Sequence, residues 1–166
     1  MHPYPPPLKG GGFFMSRLWI KDPLAILATQ AERGLVVEGQ RIVELVPAGA
    51  DPTPPVDEIF DASQHVLLPG LVNTHHHFFQ TLTRAISSAT GCELFDWLRT
   101  LYPVWAQLTP EMLAQATEAA LTELLLSGCT TSADHHYIFP PGLEEAIDIQ
   151  VETARALGIR VVLPRG

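Results

Sequence analysis

With 166 residues, 46% of them hydrophobic and 17% charged, the chain is long enough to bury a real core and has an ordinary globular balance. A formal net charge of -8, with only 10 Lys and Arg spread along the chain, argues against a nucleic-acid partner, because tracking a phosphate backbone requires clustered cations. No apolar run approaches the roughly 18 residues of a membrane span, and the N-terminus lacks the basic, apolar, small-residue order of a secretory signal, so the expectation is a cytoplasmic protein without a membrane partner.

The opening "MHPYPPPLKGGGFF" carries four prolines and no acidic group, which cannot build a packed element. Residues 1–14 are therefore expected to be disordered or untranslated. Lys9-Gly10-Gly11-Gly12 is encoded by purine- and G-rich codons just upstream of Met15, as a ribosome-binding site would be, and predicts a start at Met15.

Residues 15–68 read as short strands and turns: "SRLWIK", "GLVVEG", "QRIVELV", "EIFDA" and "HVLLPG", rich in β-branched and apolar residues and bounded by Gly, Pro and Asp. Gly39 and Gln40 form a hairpin turn, and "AGADPTPPVD" is a connection no strand interior would accept. This is the pattern of a small β domain.

From residue 69 the grammar changes to alternating strands and helices. "LVN" (Leu71 to Asn73) is a short strand, and residues 78–108 are irregular with helical pieces. Thr109-Pro110-Glu111 opens a helix with a capping residue, Pro at the first position and an acid in the first turn. Its apolar stripe is Leu113, Ala116, Ala120, Leu121, Leu124 and Leu125, and Gly128 ends it. "CTTSA" is the second strand. A helix over 143–157 carries Ile147, Val151 and Ala154 on one face and stops at Gly158; "IRVVL" (159–163) is the third strand. Such alternation implies parallel strands with helices outside, in a doubly wound sheet or a (β/α)8 barrel, and in both the chemistry gathers at the strands' C-terminal ends. Cys92 and Cys129, not in CxxC spacing, read as reduced packing thiols.

Five of the seven histidines fall at those strand ends: His75, His76 and His77 after the first strand, His135 and His136 after the second. In an extended strand, residues two apart face the same way, so His75 and His77 converge while His76 faces away. Neutral imidazole suits zinc, at about 2.0–2.1 Å, and iron as the alternative. The other reading of the triplet is a polar loop. A catalytic site needs at least a third ligand, and nothing between Phe78 and Gly166 clearly supplies it. Asp134, His135 and His136 are either substrate contacts or a hydrogen-bonded loop cluster. The chain has no HExxH, no CxxC, and no HxE paired with PCxxC, which excludes zincin and cytidine-deaminase patterns.

"LLPGLVNTHHHFFQTLTRA" resembles the first-strand motif of the amidohydrolase superfamily, in which Pro-Gly, an apolar strand and HxH begin a (β/α)8 barrel. "LFDWLRTLYPVWAQLTPE" and "ELLLSGCTTSADHHYIFP" extend the resemblance to the branch that contains 8-oxoguanine-deaminating enzymes, triazine hydrolases and S-adenosylhomocysteine deaminases. It runs from about Trp19 to the last residue. The resemblance implies an α/β fold: about three βα units of a TIM-like (β/α)8 barrel over residues 69–166, preceded by part of a β-sandwich-like domain. It implies that His75 and His77 are metal ligands and that Gln80 and Trp97 face a heterocyclic small-molecule substrate, with His135 and His136 as further substrate contacts. From the residues alone, Trp97 reads as a helix core residue and Gln80 equally as a solvated one.

The activity so implied is hydrolytic deamination of a purine-like heterocycle, 8-oxoguanine to urate plus ammonia, by a homo-oligomeric enzyme. The alternatives are a triazine chlorohydrolase or other hydrolase of the superfamily, and a non-catalytic metal-binding module. The superfamily's remaining ligands and proton-transfer groups come from later strands, so the 166 residues read as an N-terminal fragment with no catalytic residue of its own and no expected activity.

Overall fold

The computed structural model describes residues 16–166. The expectations for residues 1–14 and for a start at Met15 lie outside the described residues. The chain divides into a unit ending at Pro69 and a second unit spanning Gly70–Gly166.

The first unit is a four-stranded sheet in the order β4-β3-β1-β5, made of β1 (Arg17–Lys21), β3 (Gly34–Glu38), β4 (Arg41–Leu45) and β5 (Glu58–Asp61). Beside it lies a two-stranded pair, β2 (Ala25–Ile26) with β6 (Val66–Leu67). β1 runs antiparallel to β3 and parallel to β5, and β3 and β4 form the hairpin expected at Gly39 and Gln40. Strand β2 carries no sequence signal beyond two apolar residues, and only its pairing with β6 makes it a strand. The core is Trp19, Val36 and Val46. Arg33 closes it: its guanidinium lies 4.9 Å over the Trp19 ring and its carbonyl accepts from the indole N–H at 2.9 Å. Gly34, at φ +94°, is required there, because a Cβ would collide with the Ile20 carbonyl.

The second unit is built on three parallel strands in the order β7-β8-β9: β7 (Leu71–Asn73), β8 (Cys129–Ala133) and β9 (Arg160–Val162). Helix α2 (Pro110–Leu126) connects β7 to β8 and α3 (Ala146–Leu157) connects β8 to β9. Thr109 caps α2 as its sequence position predicts, its Oγ1 accepting from the Met112 N–H at 3.2 Å. Leu113, Ala116, Ala120 and Leu121 are buried on the predicted stripe. Helix α3 starts three residues later than expected, because "PPG" (Pro140 to Gly142) turns the chain and leaves Leu143 buried in the turn before the helix. It ends at Gly158, which takes the left-handed conformation at φ 76°.

The irregular stretch resolves into a 3-10 turn (Phe78–Thr83) and helix α1 (Leu94–Trp105). One apolar cluster, with Phe79, Leu101, Trp105, Leu113, Leu143 and Ala146 among its members, packs α1, α2 and the start of α3 together. Another, containing Phe78, Ala120, Leu121, Ala154 and Ile159, seats α2 and α3 against β9. Of the two thiols only Cys129 is a packing group; Cys92 is exposed on the loop before α1, so that expectation is corrected. Among the described residues no helix is long and apolar enough to cross a membrane.

Candidate functional site

Because β7 and β8 pair in parallel, their C-terminal ends release the chain at the same edge of the sheet. Strand β7 ends at Asn73, two residues before His75, so strand alternation is not what pairs the histidines, contrary to the geometry assumed from sequence. The Asn73 side-chain oxygen accepts from the His75 N–H at 3.0 Å and turns the chain out of the strand. The loop is then held by the turn that follows β8. The His135 N–H donates to the His76 carbonyl at 2.9 Å, and the His77 Nδ1–H donates to the His135 carbonyl at 2.8 Å. Asp134 accepts from the Phe78 N–H at 2.6 Å and from Gln150 Nε2–H at 2.6 Å. Phe78 and Phe79, both 0% exposed, anchor the far side of the loop in the core.

The rings of His75 and His77 meet edge to face, their centroids 5.1 Å apart. Nδ1 of His77 is committed to the His135 carbonyl, which leaves its Nε2 lone pair free in the neutral tautomer, the arrangement a metal-ligating histidine takes. These two side chains fit a borderline divalent ion such as zinc, at about 2.0–2.1 Å per nitrogen. Among the described residues no group of three or more His, Cys, Asp and Glu converges on one point, so an ion placed here would find at most these two imidazoles among them.

His76 is occupied differently. Its Nδ1 accepts from the His77 N–H at 3.0 Å and its ring tilts against Phe78 at 5.0 Å, although it also contributes to the wall of the cleft. Burial pushes its pKa down, helped by the Arg84 charge, and keeps it neutral.

The histidines open on a cleft of about 370 Å³, lined also by Gln80, Thr83, Arg84 and Trp97. Gln80 sits in the 3-10 turn, and its Nε2–H donates to the Tyr137 hydroxyl at 2.9 Å. Burial raises the Tyr137 pKa, so the phenol stays protonated. Trp97 is half-buried against Trp105, with ring centroids 5.3 Å apart, and it lines the cleft. The Trp105 indole N–H in turn donates to Thr83 Oγ1 at 3.1 Å, fixing the cleft's wall to the core.

Four of the six predicted site residues, His75, His77, Gln80 and Trp97, thus surround one cleft. His135 is exposed and adjoins them through its ring, 5.8 Å from that of His77. His136 is not brought there. It is 0% exposed, its Nε2–H donates to the Ile138 carbonyl at 2.7 Å, and its ring packs against Phe79 and Phe139. Successive residues of an extended turn point to opposite sides, and His136 takes the inner one. Burial lowers its pKa, so it is neutral.

The sequence profile of the amidohydrolase family matches residues 66–166, which contain this whole site. The chain belongs to the amidohydrolase family. It is 62% identical over 155 residues to 8-oxoguanine deaminase of Pseudomonas aeruginosa, a match that covers 92% of this chain and 34% of the relative. It is 39% identical over 101 residues to hydroxydechloroatrazine ethylaminohydrolase of Pseudomonas sp. strain ADP, over 59% of this chain and 21% of that enzyme. Among solved structures it resembles atrazine chlorohydrolase from Arthrobacter aurescens TC1 complexed with zinc, with a TM-score of 0.76 and 26% identity over 89% of this chain and 35% of that one. The chain spans about a third or less of the length of the curated relatives it matches.

Three groups at the site escape sequence reasoning. Asp134 appears there only as one member of an ambiguous cluster, and Tyr137 only as part of "DHHY". Gln150 had a legible signal: a polar residue four before Ala154, on the buried face of α3.

Proposed function

We propose that the protein carrying this chain is a zinc-dependent hydrolytic deaminase of a purine-like heterocycle, converting 8-oxoguanine and water to urate and ammonia. The observation that carries this reading is the His75 and His77 pair, with His77 Nε2 left free by the bond from Nδ1 to the His135 carbonyl, at the mouth of a cleft walled by Gln80 and Trp97. The similarity to an 8-oxoguanine deaminase at 62% identity supports the substrate. The zinc in the related chlorohydrolase structure supports zinc over iron. The three parallel strands are then the first of a (β/α)8 barrel, and the small β unit is part of a sandwich-like domain.

The overall reaction forms a C2–O bond and breaks the C2–N bond to the exocyclic amine, which leaves as ammonia after gaining a proton. A zinc ion, when bound, supplies a nucleophilic water near neutral pH. The chain's own residues do the rest of what lies within it. His75 and His77 hold the ion. Gln80, tethered by Tyr137, presents its amide to the heterocycle, and the Trp97 indole offers a face for a planar ring. His135 borders the substrate, while His136, buried and neutral, supports the turn.

A second reading, triazine hydrolysis, draws on the likeness to the atrazine chlorohydrolase, but at 26% identity it is the weaker of the two. Grafting residues 16–166 in place of the matching segment of the Pseudomonas aeruginosa deaminase separates them. Release of ammonia from 8-oxoguanine by the zinc-loaded chimera is the expected result. A folded, zinc-bearing chimera that ignores 8-oxoguanine and dechlorinates atrazine would sink the proposal. A chain that binds zinc while its chimera hydrolyses neither would leave only the metal-binding module.

A further inference from the structure

Asp134 lies one residue past the end of β8 and is 0% exposed. Both of its carboxylate oxygens accept hydrogen bonds at 2.6 Å, Oδ1 from the Phe78 backbone N–H and Oδ2 from Gln150 Nε2–H. Acceptance at both oxygens, with no donation, is the pattern of an ionised carboxylate. A buried carboxylate is costly unless its lone pairs are used, and here both oxygens are.

What it holds is informative. Phe78 directly follows His77, so the Phe78 N–H belongs to the peptide that leaves the metal-ligating residue. The backbone alone already ties this loop to the turn after β8, through the His135 N–H on the His76 carbonyl. A side-chain bond added one peptide further on constrains the direction in which His77 projects. Its ring then reaches the His135 carbonyl through Nδ1, and Nε2 is left over. Gln150 completes the arrangement from α3: it is fully buried, its Nε2 is committed to Asp134, and its Oε1 has no partner. The helix thereby locks the carboxylate without competing for Phe78.

We infer that Asp134 is the positioning residue of the His75 and His77 pair, acting through the Phe78 peptide and locked in place by Gln150. This rests on the metal-site reading given above. Outer partners of metal-ligating histidines typically contribute about 10–100-fold to metal affinity. Asp134 differs from the usual case in gripping the ligand's backbone, while a neighbouring carbonyl grips the ring.

The test uses the full 166-residue chain, 15N-labelled and metal-free at first, as wild type, D134A and D134N. Imidazole 15N shifts report the His77 tautomer, and amide exchange reports the Phe78 N–H. In the wild type the Phe78 amide exchanges slowly and His77 carries its proton on Nδ1. In D134A the Phe78 amide exchanges at least tenfold faster, His77 becomes a mixture of tautomers, and zinc affinity falls about 10–100-fold. D134N rescues all three, because Asn Oδ1 still accepts from Phe78 and its Nδ2–H donates to Gln150 Oε1 once that amide rotates. A folded D134A with an unchanged His77 tautomer, or a D134N as impaired as D134A, overturns the inference. Should D134A not fold, Gln150→Met frees one side of the carboxylate, and a Phe78 amide and His77 tautomer unmoved in that variant overturn it equally. A wild type that binds no zinc but shows the predicted tautomer and amide responses refutes the metal reading and leaves the positioning role standing.

Discussion

Two neighbouring turns of this molecule look alike in sequence and behave oppositely in the structure. His75, His76 and His77 follow β7, and Asp134, His135 and His136 follow β8, at the same edge of one parallel sheet. The first turn spends its polar atoms outward: two imidazoles meet at the cleft, and one keeps Nε2 free. The second spends most of its polar atoms inward, on the first: an amide, a carbonyl and a carboxylate bind the triplet's loop, and His136 is sealed in the core. Histidine content alone does not tell the two turns apart; what the neighbouring backbone holds does.

Substitutions can break this contrast in order of expected size. His77→Ala should weaken zinc binding by more than the roughly 10–100-fold that loss of an outer partner costs, whereas His135→Ala, which keeps the carbonyl that binds His77, should change it by no more than about threefold. Calorimetric zinc titration of the two variants checks both. His136→Ala should reverse the pattern, costing about 3 kcal/mol of stability by emptying a packed site, seen in urea unfolding, while the His75 and His77 pair remains intact.

The two turns also differ with pH. His136 has a folded-state pKa below the ordinary imidazole value because burial disfavours the charged ring. Between its folded and unfolded pKa values the unfolded chain binds more protons, so this stability is fully present above about 6.5, the ordinary imidazole value, and is lost as the pH falls through the folded pKa. His76 shifts in the same direction, again chiefly through burial. Asp134 opposes them: burial raises its pKa, so its contribution is present at low pH and is lost as the pH rises through the folded value. Urea midpoints at pH 7.5 and 5.0 should show a stability loss on acidification that shrinks in His136→Gln. An unchanged gap would mean that His136 is not held neutral.

Much of this is legible in the sequence. The strands at β1, β3, β4 and β8, the hairpin at Gly39 and the cap at Thr109 follow from local chemistry, since β-branched runs, turn residues and a capping hydroxyl act within a few residues of themselves. The nearness of the His75 and His77 rings comes from an Asn73 turn and the backbone just after β8, not from the strand alternation expected of the sequence. The inward position of His136, the Asp134 and Gln150 contact, and the two-residue strand β2 were not legible. Each depends on a partner 16 or more residues away, or on which side of a turn meets the core. The smallest effect expected here tests the local part: Thr109→Ala should cost about 1 kcal/mol in thermal unfolding and leave zinc binding untouched.

The contrast between the two turns is tested most directly by titrating the 15N-labelled chain with zinc and following all five imidazoles at once. The account predicts that the Nε2 resonances of His75 and His77 move together at one zinc per chain, while His76, His135 and His136 stay where they are. Movement of His135 or His136 alongside the pair, or of none of the five, would contradict it.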